Sequence, residues 1–60
     1  MWRAAAAAVW ALSVGSSTGA VGVDEVAAFI AVSPDIAFRA LARAERERLV
    51  VCVDDVWRVA

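Results

Sequence analysis

The sequence contains no histidine, lysine, tyrosine, asparagine or glutamine, and it has a single cysteine, Cys52. Each absence removes a class of function. One cysteine excludes a disulfide within the chain. Without histidine, that one thiol falls far short of the four nitrogen and sulfur ligands of a structural zinc site. No metal and no cofactor are therefore expected. Without His, Lys and Tyr the common general bases and nucleophile partners are missing. The chain is not expected to be an enzyme or to take a small-molecule substrate. Cys52 would need an activating neighbour to react, and beside Trp57 it reads as a small core residue. Asp54-Asp55 reads as a solvated turn, because Asp favours turns through local hydrogen bonds.

Charge is scarce as well. All six cations are arginine, and the formal net charge is −1. Nucleic-acid-binding domains are usually basic, since phosphate contacts supply most non-specific affinity. The overall charge thus argues against strong general DNA binding.

What the chain does have is apolar residues, 63% of its 60. That length fits one domain, residues 1–60. A chain this short buries only about 60% of its unfolded surface. It needs added support, and with disulfide and metal excluded a partner is what remains. A homodimer, or a place in a larger complex, is expected. The apolar run Ala4–Val14 falls short of the roughly 20 residues of a membrane span. With Met1-Trp2-Arg3 before it and Thr18-Gly19-Ala20 after it, the run has the outline of a signal peptide. Its removal would leave about forty residues, too few for an unaided core. The segment is read as part of the domain, and the expected setting is cytoplasmic, with no membrane partner.

Residues 3–14 predict a helix, led by five consecutive alanines, the best helix former. Its only charge is Arg3, so it should be covered on more than one side. Gly15–Gly19 predict a loop and Ala20-Val21 a short extended link. A second helix is expected over 23–31, with Gly22 and Glu25 as a weak capping box and Val23, Val26, Ala27 and Ile30 on one face. Ser33-Pro34-Asp35 is a strong helix start: an N-cap hydroxyl, a proline at the first position and an acid in the first turn. A third helix is expected over 34–47, with Ala37, Ala40, Leu41 and Ala44 inward. At Leu49 the period changes. Residues 49–53 and 56–60 are β-branched and aromatic, which favours strands, joined at Asp54-Asp55. A two-residue turn pairs Val53 with Val56 and Cys52 with Trp57. It sets Val50, Cys52, Trp57 and Val59 on one face and Val51, Val53, Val56 and Arg58 on the other. The expected core is Val9, Leu12, Val26, Ile30, Leu41, Val50 and Trp57.

The fold class is therefore mainly α with a C-terminal β-hairpin. Two short helices separated by a three-to-four residue turn form a helix-turn-helix. The order of elements, with Val23–Ala27, Val32-Ser33, Arg39-Ala40-Leu41, Leu49-Val50 and Trp57-Arg58-Val59, resembles the winged helix-turn-helix superfamily. Many such regulators carry glycine where this chain has Arg48. The chain also resembles a family of very small stand-alone winged-helix proteins of unknown function, at Val9-Trp10-Ala11-Leu12, Ser33-Pro34-Asp35, Ala40-Leu41-Ala42 and Arg46-Glu47. Both resemblances imply the fold; the second implies a homodimer and no activity, and the first implies a DNA-binding, transcription-regulating role.

On the third helix, Arg39, Arg43 and Arg46 fall in one stripe opposite Leu41 and Ala44. This is the face a recognition helix offers to the major groove. Arg39 and Arg43 should lead the contact, with Arg58 on the hairpin as a further DNA-binding candidate. Asp35 on the same stripe, Ala42, and Asp54-Asp55 at the wing tip argue for the other reading, a protein-interaction adaptor. Candidate interface residues are Trp2, Ala6 and Trp10 on the first helix and Val51, Val53 and Val56 on the outer hairpin face.

Overall fold

A computed structural model describes all of residues 1–60. Three helices, α1 (Trp2–Val14), α2 (Val23–Ile30) and α3 (Pro34–Arg46), precede two strands, β1 (Val50–Val53) and β2 (Val56–Val59). The layout is the one the sequence predicts, with bounds shifted by one residue at most.

The start of α3 forms as expected. The Ser33 hydroxyl accepts from the Ile36 amide at 3.4 Å, and Pro34 opens the helix. At α2 the expected capping box does not form. Gly22 is the N-cap but has no side chain to offer, and no side-chain cap bond is made there. That helix stops because Ala31 turns left-handed at φ 59°, with the Val32 amide closing onto the Ala27 carbonyl at 3.0 Å.

The end of α3 is a Schellman cap. The Arg48 amide donates to the Glu45 carbonyl and the Leu49 amide to the Ala44 carbonyl, both at 3.0 Å. The residue between cap and strand must turn left-handed, and Arg48 does so at φ 63°. Glycine adopts that conformation without the Cβ clash that burdens arginine.

β1 and β2 pair antiparallel in the expected register, Val50 with Val59, Val51 with Arg58, Cys52 with Trp57 and Val53 with Val56. Asp54 and Asp55 take φ 53° and 65°, as a type I′ turn requires, and its twist suits the hairpin. A third segment joins the sheet. The Val21 amide donates to the Trp57 carbonyl at 2.8 Å, and the Trp57 amide donates back at 2.7 Å. The expected link at Ala20-Val21 is therefore a bridge that ties the α1–α2 connection to β2.

The core lies where the helices meet the inner hairpin face. Val9, Val21, Val26, Leu41 and Val50 are fully buried, joined by six alanines and Trp57. Alanine on facing helices lets their backbones approach closely, which suits a core built from so few large side chains. Leu12 and Ile30, expected in the core, are half-buried at its margin. Cys52, expected as a core residue, is exposed. It shares Trp57's face of the hairpin and pairs with it directly, but it lies on β1, the edge strand on the far side of β2 from Val21. α1 is not covered on several sides: Ala5, Ala8 and Val9 are buried, while Ala4, Ala7, Trp10, Ala11 and Val14 are exposed. No helix is long and apolar enough to cross a membrane.

Candidate nucleic-acid interface

α3 carries the candidate site, and its inner face fixes how the site is presented. Ala37, Ala40, Leu41 and Ala44 are buried, so residues half a turn away face solvent. Arg39, Arg43 and Arg46 are all exposed. The sequence puts Arg39 and Arg43 foremost, with Arg46 and Arg58 behind them; their surroundings divide the four differently.

Arg43 is engaged within the chain. Its Nε lies 3.5 Å from the Glu47 carboxylate one turn on, and its guanidinium sits 5.6 Å from the centre of the Trp2 ring. A cation over an indole is attracted by the ring's negative face. Arg43 thus links the last turns of α3 to the first turn of α1. Arg58 is engaged too. Its Nη2 donates to the Thr18 carbonyl at 3.3 Å, across 40 residues. The loop it holds is braced by its own hydroxyls: Ser16 Oγ donates to the Ala20 carbonyl, and the Thr18 and Ala20 amides donate to the Ser16 and Thr18 hydroxyls.

Arg39 and Arg46 have neither an ion pair nor a ring partner. They are the two unengaged cations of the helix, and they lie two turns apart along it. Acidic groups nearby are partly spoken for. Glu47 pairs with Arg43, and a Glu45 carboxylate oxygen accepts from the Cys52 amide at 3.2 Å. Asp35 remains free at the start of the stripe, and Asp54 and Asp55 are exposed at the hairpin tip.

Sequence reasoning missed two aromatic features of this surface. Phe38 stands beside the arginines, 55% exposed, with its ring edge-on to Trp57 at 6.2 Å between centroids and 72° between planes. Ile36 and, on α2, Phe29 are exposed as well. The helical wheel already set Phe38 away from the inner face, so its exposure was available as a signal.

The interface candidates also divide. Trp2 and Ala6 are half-buried and pack against the core of their own chain. Trp10 is exposed, as are Val51 and Val53, while Val56 is half-buried. No pocket opens on the surface. Comparison of the chain with protein-family models, curated proteins and solved structures gives no match.

Proposed function

We propose that this chain is a winged-helix DNA-binding module of the transcription-regulator type, working in the cytoplasm as a pair of copies or within a larger assembly. One observation carries the reading. The helix after the turn presents two unengaged arginines, Arg39 and Arg46, on its solvent face, and a two-stranded hairpin follows it directly. A helix so exposed is what a major groove admits, and arginine is the commonest reader of guanine there. Arg43 and Arg58 serve as supports that hold α1 and the α1–α2 loop.

The low net charge sets the expected strength. With two free cations on α3, few phosphates are neutralised, and affinity for mixed-sequence duplex should sit in the range of about 10⁻⁴–10⁻⁶ M. Fluorescence anisotropy on a labelled duplex of mixed sequence, over a salt series, tests this. The Arg39→Ala, Arg46→Ala double variant should weaken binding and flatten the salt slope by about one unit for each phosphate no longer neutralised. No binding at low salt, or unchanged binding in a folded double variant, would defeat the reading.

A second reading, a protein-interaction adaptor, is favoured by Phe38, Ile36 and Phe29, which stand exposed on the same two helices. Exposed apolar surface of this kind marks protein contacts when it is contiguous. Pull-down from native lysate with and without nuclease separates the two. Loss of the captured material after nuclease supports DNA, and retention of a defined protein partner supports the adaptor.

A further inference from the structure

We propose that a second copy of this chain covers the outer face of α1, with the two α1 helices running antiparallel across a twofold axis. The proposal gives the pair of copies in the DNA reading its interface, and it holds or fails without DNA.

The face is a stripe of residues 3, 7, 10 and 14, spaced to lie along one side of a helix. Trp10 is 62% and Val14 73% exposed. Ala7 between them is exposed too, with Ala4 and Ala11 alongside. A surface tryptophan flanked by valine and alanine, with no acid nearby, is costly to leave in water. The only charge on the helix is Arg3. α1 has no acid in its first turn and no base in its last. The partial negative charge of its last carbonyls is therefore uncompensated.

Antiparallel pairing of two such stripes brings together residues whose numbers add to 17. Arg3, whose guanidinium rests 5.3 Å from the centre of its own Trp2 ring in the single chain, then faces Val14 of the other copy and swings from that ring to the carbonyl end of the partner helix. Ala7 faces Trp10 of the other copy, so each indole lies over a methyl group. Charge and size are both complementary, and each contact occurs twice, as in an isologous interface. Parallel pairing would set Arg3 against Arg3 and Trp10 against Trp10. The stripe thus fits its own copy better antiparallel than parallel. Arg39 and Arg46 lie on α3, off this stripe, and stay uncovered.

The area sets the strength. A 13-residue helix offers a strip about 20 Å long and about 10 Å wide. Two such strips come to about 400 Å², a third of the roughly 1,200 Å² of a standard stable interface, so weak, transient association near the top of the micromolar range is expected.

Sedimentation equilibrium in DNA-free buffer, from about 1 µM to 1 mM protein, tests the proposal. The mean mass should rise from 6.3 kDa toward twice that value. Trp10→Glu and Ala7→Glu should each weaken the dimer at least about tenfold, since they set charge in an apolar contact. Arg3→Glu should weaken it as well, and adding Val14→Arg should restore it, because the swapped pair again faces across the axis. Both swapped residues suit their own helix ends, so the monomer stays folded, which circular dichroism checks. A monomer at every concentration, a dimer indifferent to Trp10→Glu, or a swap that fails to restore association would overturn the proposal. DNA binding retained by an obligate monomer would overturn this interface alone. A dimer without DNA affinity would overturn the DNA reading alone.

Discussion

Replacing Trp57 with alanine should unfold most of the protein. Trp57 is the largest buried side chain, 3% exposed, and the only aromatic in the core. A buried aromatic removes about 150–250 Å² from water, which at roughly 25 cal/mol per Å² corresponds to about 4–6 kcal/mol. Alanine retains part of that and leaves a cavity, so the usual loss of about 3–5 kcal/mol applies. The edge contact with Phe38 adds about 0.5–1.5 kcal/mol. Against this stands the whole stability of a 60-residue chain, about 3–9 kcal/mol at the common per-residue values. One side chain therefore holds a large part of the total.

The backbone hydrogen bonds between Trp57 and Val21 do not depend on the side chain, but they need the strand to stay docked. Urea unfolding followed by far-UV circular dichroism measures the loss. Trp57→Phe serves as the control and should lose less than half as much. The protein is held below the dimer range, because association stabilises the folded form by mass action. A Trp57→Ala variant that folds with a loss under about 1 kcal/mol would refute this account of the core.

Two further outcomes follow from the ends of α3. Arg48→Gly should stabilise the protein by about 0.5–1 kcal/mol, relief of left-handed strain outweighing the added freedom of the unfolded chain; a lowered melting temperature would count against the Schellman assignment. Glu45→Ala should cost about 0.5–1.5 kcal/mol, the worth of one hydrogen bond. It also frees the Cys52 amide on the outer edge of β1, so light scattering at high concentration should rise as open edges find each other; scattering no higher than that of the unchanged protein would show that the carboxylate does not guard that edge.

How far the sequence could be read depends on the distance over which each signal acts. The helices and the hairpin register were legible because their causes are local: Ser33-Pro34-Asp35 for the start of α3, the change of period at Leu49, and a two-residue turn at Asp54-Asp55. Arg48 shows the limit of the same logic. A missing glycine could be noticed, but that arginine itself takes φ 63° follows only once the Schellman bonds around it are seen.

Contacts distant along the chain were not legible. Nothing near Val21 announces that it pairs with Trp57, 36 residues on, because a two-residue extended link carries no period of its own. The pleat and its pairing with Trp57 set Cys52 on the inner face. The pleat decides the face of the sheet, whereas the extent of the helices beneath decides how much of that face is covered. On α1 the wheel could show that some side stays bare, but not which tryptophan occupies it. Trp2 and Trp10 lie about 80° apart on a helix with 100° steps, and only the packing of Trp2 against the core, with Arg43 from α3 over its ring, tells them apart. The arginines make the same point about function. Sequence position alone puts Arg39 and Arg43 foremost, since it does not show which guanidinium its neighbours engage. Glu47, Trp2 and Thr18 engage Arg43 and Arg58. The candidate site thus reduces to Arg39 and Arg46 by a process of engagement that only tertiary neighbours can supply.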